Sequence, residues 1–220
     1  MGLFDRFRKG DKEQDDGNKI EKEIRKLHQK GRYDEIISRA PSFINDQNTS
    51  SEMKKMVAQS YYAKEMYDDA LALFEQIASE KNDKSSWLDV SMTLIYSGKV
   101  QEGEEIFKKI LEMDDRWNPV KPEDMPIPYI RFSYAWCLKD VGLFDAALEQ
   151  LEHLKRMCMQ LERTDDGFLH IHGIPPMSFI LELTKIVFNG MGKDFSRSDF
   201  LDELERKVDR NGKKLIKKYR

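Results

Sequence analysis

The chain has 220 residues, with a formal net charge of -3, 35% charged residues and 40% hydrophobic residues. This length is enough for one or two domains with a hydrophobic core, and the mix is typical of amphipathic helices that each expose one face to water. The net negative charge argues against a general nucleic-acid binder, because binding to phosphates needs a basic field.

The N-terminus, MGLFDRFRKG, places Leu3, Phe4 and Phe7 on one side of a helix of about two turns. We expect residues 1–16 to form a flexible segment, because so short a helix is unstable alone. Contact with a membrane surface through these apolar residues is the alternative. The chain has neither a signal-peptide core nor a run of about eighteen apolar residues that could span a membrane, so the predicted location is cytoplasmic.

The stretch YAKEMYDDALALFEQIASEKND sets Tyr67, Ala70 and Phe74 at spacings of three and four. This spacing puts them on one face of a helix, with a small residue between two rings where another helix could approach. The pattern recurs about every 34 residues. Its other copies are Tyr33, Ile36 and Ala40; Val100, Gly103 and Phe107; and, after a longer interval, Phe144, Ala147 and Leu151.

Each copy follows another predicted helix, and in three copies a glycine precedes the first patterned residue by two positions. These glycines, Gly31, Gly98 and Gly142, indicate turns between paired helices. The preceding helices carry apolar stripes that begin at Ile20, Met53, Trp87 and Tyr134. The repeating unit is therefore helix, turn, helix.

This pattern resembles the tetratricopeptide repeat (TPR), which reads W-x2-L-G-x2-Y, then A-x3-F, then P. The matched positions are Trp87, Val90, Ser91, Leu94, Gly103 and Phe107 in the third copy; Tyr61, Ala70 and Phe74 in the second; Ala135, Leu138, Ala147 and Leu151 in the fourth; and Leu27, Tyr33 and Ile36 in the first. No copy has the terminal proline. The resemblance implies an all-α fold, a TPR-like α-α superhelix (right-handed solenoid) with C-terminal capping helices.

We predict one continuous domain after the N-terminal segment. Its repeat region covers 17–161, with units near 17–50, 51–83, 84–117 and 128–161 and a proline-rich insertion at 117–128, and a loop, two capping helices and a basic tail occupy 162–220.

The segment after the repeats contains three notable features. Phe168, His170 and His172 alternate after a turn, which is typical of a short extended segment, but two histidines are too few for a metal site. The stretch MSFILELTKIVF, 177–188, is apolar around most of its circumference, so we expect it to be buried. The tail from Glu205 to Arg220 has eight Lys or Arg against two acids. A solvated helix end is the simplest interpretation of this tail, and an acidic partner or membrane surface is the alternative.

No phosphate loop, nucleophile motif or metal-ligand spacing is present in the sequence, so we predict a non-enzyme without a cofactor or metal. The resemblance implies instead a protein–protein interaction adaptor that binds a peptide or partner helix in a concave groove. The side chains predicted to face this groove are Lys55, Gln59, Tyr62, Leu88, Met92, Ile95, Tyr96, Tyr129, Phe132 and Trp136.

Three alternatives remain open from the sequence. Helix 177–188 is apolar enough to fill the groove itself. The basic ends suit a membrane- or ribosome-proximal factor, and fold analogy alone suggests a partner that neutralises a toxin or regulator. The clamp with which some TPR domains hold acidic C-terminal tails is not expected, because only Lys55 matches it and Asp89 occupies a slot where such a clamp needs a neutral or basic group.

Overall fold

The computed structural model describes residues 19–45, 49–113, 125–192 and 194–220. The apolar candidates Leu3, Phe4 and Phe7 and most of the insertion at 117–128 lie outside these ranges. Every regular element within them is helical, which confirms the all-α prediction. The chain divides between Ser97 and Gly98 into two compact units.

Unit 1 consists of five α-helices and one short 3-10 helix over its described residues. The α-helices are 19–29 (α1), Tyr33–Arg39 (α2), Ser51–Ala63 (α3), Tyr67–Lys81 (α4) and Lys84–Tyr96 (α5), and the 3-10 helix is Ala40–Ser42. Helix α3 packs against α2 and α4, and α4 packs against α5. Pro41 lies within the 3-10 turn, where it prevents α2 from continuing as an α-helix.

Local capping explains where the first helix of a pair begins. The Ser50 hydroxyl accepts a hydrogen bond from the Met53 N–H at 3.2 Å and starts α3, and the Asp83 carboxylate accepts one from the Ser86 N–H at 2.7 Å and starts α5. Each contact satisfies an amide that has no partner within the helix. Ahead of Asp83, Asn82 ends α4 in the left-handed conformation, with φ of 49°.

The repeated spacing marks the buried face of each second helix. The small-residue slot of the four copies and the slot four residues later are both buried throughout. These residues are Ile36, Ala70, Gly103 and Ala147 for the first slot, and Ala40, Phe74, Phe107 and Leu151 for the second. The repeated sequence pattern therefore identifies residues that pack in the core.

The turns between paired helices share one backbone geometry. Gly31, Gly98 and Gly142 have φ of 65°, 84° and 80°, as the glycine prediction requires. In the copy without glycine, Glu65 has φ of 59°. The turn at Gly31 is closed by a hydrogen bond from the Arg32 N–H to the Leu27 carbonyl at 3.0 Å, and the turns at Glu65 and Gly142 are closed in the same way.

Unit 2 contains seven helices over its described residues. They are Val100–Glu112 (α6), Ile127–Asp140 (α7), Phe144–Met159 (α8), Asp166–Ile171 (α9), Met177–Met191 (α10), Asp194–Lys207 (α11) and Arg210–Ile216 (α12). Helices α7 and α8 form the main pair, and the Phe107 ring of α6 stacks on Tyr134 of α7 with ring centres 3.7 Å apart.

The extended segment expected around His170 and His172 is wrong. Asp165 accepts a hydrogen bond from the Phe168 N–H at 3.1 Å and starts the short helix α9, so this Asp-Gly segment acts as a helix cap. The second of the two expected capping helices, which leads into the basic tail, is divided into α11 and α12. Asp209 accepts from the Gly212 N–H at 2.9 Å and begins α12 as a separate helix.

The C-terminal helices cover the end of the α7–α8 pair. Helix α10 packs against α7, α8, α11 and α12 and buries seven residues, which confirms that segment 177–188 is mostly buried. Lys155 of α8 is buried and links α8 to α11. Its ammonium lies 2.6 Å from the Glu203 carboxylate and 4.4 Å from the centre of the Phe200 ring, so the charge that burial would leave unpaired is compensated.

Candidate functional site

In unit 1 the structure brings together predicted groove residues of α3 and α5. Lys55 Nζ lies 2.7 Å from Asp89 Oδ2, and two helical turns further on the Tyr62 and Tyr96 rings meet edge to face at 5.3 Å. Both contacts join residues 34 positions apart, which is the repeat length. Equivalent positions of consecutive repeats therefore lie side by side.

Three tyrosines form a cluster at the second of these contacts. Tyr67, at the start of α4, contacts Tyr62 with ring centres 5.7 Å apart and stacks on Tyr96 at 6.0 Å. Tyr67 was not among the predicted groove residues. Its signal was present in the sequence, because it occupies the aromatic slot immediately after the Glu65 turn. Each of the three tyrosines is partly exposed, so the cluster forms part of the surface of unit 1.

In the ion pair of Lys55 with Asp89, two opposing effects act on the pKa of the carboxylate. Burial raises the pKa of Asp89, and the neighbouring Lys55 ammonium acts in the opposite direction. Lys55 is thus engaged with a carboxylate of its own chain. This geometry gives a physical reason not to expect the clamp for acidic tails at this position.

Two of the predicted groove residues need correction. Leu88 is 3% exposed and Ile95 is 1% exposed, so neither side chain faces solvent. Helix α5 buries residues around most of its circumference, and the assignment of its faces from spacing alone was therefore wrong at these positions. Gln59 and Met92 are partly exposed.

In unit 2 the three predicted residues form a row on one face of α7. Tyr129, Phe132 and Trp136 are spaced by three and four, and the Phe132 and Trp136 ring centres are 6.2 Å apart. Trp136 is 39% exposed, which is unusual for so large an apolar side chain. Lys139 places its ammonium 4.5 Å from the centre of the Trp136 ring. We call Tyr129, Phe132 and Trp136 the aromatic row.

The opposite face of α7 holds the core. Ile130, Tyr134, Ala135, Cys137 and Leu138 are buried there, and α7 packs against α8 and α10. Helix α10 therefore occupies the packing side of α7, and it leaves Trp136 exposed.

Two buried polar atoms lie on the packing side of α7. Arg131 donates a hydrogen bond from Nη1 to Gln150 Oε1 at 2.6 Å, whereas its Nε and the Tyr134 hydroxyl have no hydrogen-bond partner within the described part of the chain. Burial lowers the pKa of Arg131 and raises the pKa of Tyr134. The Tyr134 hydroxyl therefore stays protonated at neutral pH.

The described ranges contain no group of three His, Cys, Asp or Glu side chains arranged to hold a metal ion. The pair His170 and His172 lies on and just after α9, where the His172 ring packs against Phe168 with ring centres 4.2 Å apart. No helix within those ranges is long and apolar enough to cross a membrane.

Comparison with known proteins bears on the fold. No protein-family model matches the chain, and no curated protein matches it either. Two solved structures of nearly identical TPR-like repeats from a Podosopora anserina kinesin light chain candidate, one of them a point variant, do match. They align over 86% of this chain and 92% and 93% of their own, at 14% identity, with TM-scores of 0.56 and 0.53. The chain has a TPR-like helical-repeat fold.

In TPR terms, α3 and α7 are first helices of repeats, and α4 and α8 are the second helices that pack against them. The side-by-side contacts of Lys55 with Asp89 and of Tyr62 with Tyr96 are contacts between the first helices of two consecutive repeats. The predicted TPR resemblance is confirmed at the level of fold.

Proposed function

We propose that this protein is a non-catalytic interaction scaffold that binds a peptide or a helix of a partner protein on the aromatic row of α7. The observation that carries the proposal is the exposure of Trp136 beside Phe132, on the face of α7 opposite the core. Tryptophan and tyrosine are the residues most enriched among those that dominate binding energy at protein interfaces.

The two units differ in how much of the predicted surface is left for a partner. In unit 1 the Lys55 charge is paired with Asp89, and the tyrosines contact one another. In unit 2 the Trp136 ring contacts the Phe132 ring and the Lys139 ammonium, and 39% of the Trp136 surface stays exposed to water. Burial of this apolar surface by a partner would therefore stabilise a complex.

The row also suits an elongated ligand. Its residues follow one face of α7 over two helical turns, about 10 Å, which is the length over which an amphipathic helix presents residues i, i+3 and i+7. An apolar stripe on a partner helix matches this spacing. The Lys139 ammonium at the end of the row is paired with the Asp140 carboxylate, so the row offers a partner apolar contact rather than a free charge.

The test is capture of proteins from an extract of the source organism on the full chain. Wild type is compared with Trp136→Ala and with Phe179→Ala. The second variant is a matched control, because Phe179 is also an exposed aromatic residue of unit 2, at 57%, and lies on α10 outside the row. Thermal unfolding of each variant shows that it is folded.

A protein retained by wild type and by Phe179→Ala, and lost from Trp136→Ala, supports binding at the aromatic row. If Trp136→Ala retains every protein that wild type retains, the row is not the binding surface. Loss from Phe179→Ala alone would place the surface on α10 instead.

A further inference from the structure

We propose that the C-terminal helix α12 and the turn that follows it bind anionic phospholipid surfaces through five exposed basic side chains. These side chains, which we call the basic arc, are Arg210, Lys213, Lys214, Lys217 and Lys218. This inference is independent of the aromatic row, and it assigns a second interaction surface to unit 2.

The basic arc follows from the periodicity of α12. Gly212 and Ile216 are buried, and α12 packs on α10 and α11. At 100° per residue, Arg210, Lys213, Lys214 and the C-cap residue Lys217 then fall within about 100° on the opposite side, over about 10 Å of length, and Lys218 follows in the turn after the helix. All five side chains are exposed. Neighbouring charges of the arc thus lie within about one Debye length of each other, so they act on a ligand together.

The nearby carboxylates do not neutralise this side of the helix. Asp209 points to the start of α12, where it accepts a hydrogen bond from the Gly212 N–H at 2.9 Å and another from the Thr164 hydroxyl. Glu205 accepts from Arg220 at 2.6 Å, and Asp202 also pairs with Arg220. Among the residues that the structure describes, none forms an ion pair with a member of the basic arc.

The arrangement works against the stability of α12. Lys213 and the C-cap residue Lys217 stand four residues apart, where like charges repel each other along a helix. A short terminal helix with this repulsion needs the packing of Ile216 to hold it in place. An anionic surface would remove the repulsion, and this is a physical reason to expect binding.

The chemistry of the arc favours a lipid surface over the other polyanions. Four of its five residues are lysines, which act as point charges and lack the planar fork with which arginine reads phosphates and bases. The arc contains no aromatic ring for stacking on bases and no amide side chain for reading their edges. At its margin, Leu215 is partly exposed, and an apolar side chain beside a basic cluster suits contact at the level of the lipid headgroups. Clusters of four to eight Lys or Arg on a helix are typical of binding to anionic leaflets.

The experiment is sedimentation of the full chain with lipid vesicles. The vesicles contain phosphatidylcholine alone or phosphatidylcholine mixed with phosphatidylserine. The test variant is Lys213→Gln, Lys214→Gln and Lys217→Gln combined. The matched control is Lys22→Gln, Lys26→Gln and Lys30→Gln combined, which removes three exposed lysines from the α1 region of unit 1.

We expect binding to the mixed vesicles only, with a partition coefficient that falls about fivefold per lysine removed from the arc, or on the order of a hundredfold for the triple variant. The control triple variant should bind like wild type. Because repulsion is relieved, the arc variant should unfold at a temperature equal to or higher than wild type, which separates lost binding from lost folding.

Three results would overturn the proposal. The first is no binding of wild type to the mixed vesicles. The second is an equal loss of vesicle binding in both triple variants, which would show that binding depends only on the net charge of the protein. The third is binding of wild type to a labelled DNA duplex or RNA, measured by fluorescence anisotropy and lost in the arc variant, without binding to vesicles; the arc would then be a nucleic-acid surface.

Discussion

Substitutions at equivalent positions of two turns should change the stability of the protein in opposite directions. Gly31 and Glu65 stand in the same slot of the first two turns, with φ of 65° and 59°. Both amides donate to the carbonyl three residues earlier at 3.0 Å, and the next amide closes the turn in both cases. The two substitutions to compare are Gly31→Ala and Glu65→Gly.

Two opposing effects set the magnitude. A non-glycine residue in the left-handed region lowers the free energy of unfolding by about 1–2 kcal/mol through backbone strain. A glycine lowers it by about 0.5–1 kcal/mol, because glycine makes the unfolded chain more flexible. At Gly31 a β-carbon would meet no atom within 4 Å, so no clash adds to the strain. We therefore expect Gly31→Ala to lower the free energy of unfolding by about 0.5–1 kcal/mol, and Glu65→Gly to raise it by a similar amount.

The assay is urea denaturation followed by far-UV circular dichroism. With an m value of about 2 kcal/mol/M, these changes shift the midpoint by about 0.25–0.5 M, downward for Gly31→Ala and upward for Glu65→Gly. Glu65→Ala is the control, because it removes the carboxylate and keeps the strain, and it should leave the midpoint nearly unchanged. A destabilised Glu65→Gly, or a Gly31→Ala that matches wild type, would refute the assignment of these turns.

Further predictions concern α10, a buried thiol and an ion pair. An alanine β-carbon at Gly190 would lie 2.5 Å from Phe144 Cε1. Gly190→Ala should therefore lower the free energy of unfolding by about 1–2 kcal/mol in chemical denaturation, although alanine has the better helix propensity. In a Phe144→Leu background, the same substitution should raise the free energy of unfolding. Burial raises the pKa of Cys158 to about 11. At about pH 8, a thiol reagent should therefore label Cys158 on the order of a hundredfold more slowly in the folded protein than in an unfolded control. Fast labelling of the folded protein would contradict the burial of this thiol. The hydrogen bond from Lys54 lowers the pKa of Glu80, so the stability that this pair contributes is present at neutral pH and is lost as the pH falls below 4.5 toward the folded-state pKa. Glu80→Gln should therefore make Tm depend less on pH in the acid range. An unchanged pH dependence of Tm would show that the pair contributes nothing.

Much of the fold could be predicted because the repeat imposes the same demand at each copy. Ala70 and Ala147 are buried where a second helix approaches closely, and a small residue at that spacing is visible in the sequence. The glycines at the turns are visible for a similar reason, because only glycine adopts a positive φ without strain. Position 65 shows the limit of this reasoning, since a glutamate adopts the same conformation there.

The errors arose where a short polar residue could serve two purposes. The pair Asp166-Gly167 was compatible with a turn before an extended segment, but the structure has it as the first residues of helix α9, which the Asp165 side chain caps. Asp209 interrupts a helix that otherwise has continuous periodicity, and its capping role depends on the distant Thr164, whose contact no local pattern reveals.

The surfaces were harder to predict than the fold. Spacing placed Leu88 and Ile95 on the same side of α5 as Met92, but α5 is apolar around much of its circumference, so its buried and exposed faces cannot be separated by periodicity. On α7 the separation is clearer, since the buried and exposed sets occupy opposite sides, and Trp136 remains exposed where it was expected.

The most direct test of the central claim is calorimetric titration of the partner captured on the wild-type chain, or of a peptide derived from it, into wild type, Trp136→Ala and Phe179→Ala. If the aromatic row is the binding surface, Trp136→Ala should weaken the affinity about 30-fold or more, as expected when a residue that dominates an interface is truncated, and Phe179→Ala should match wild type. Equal affinities for wild type and Trp136→Ala would contradict the account.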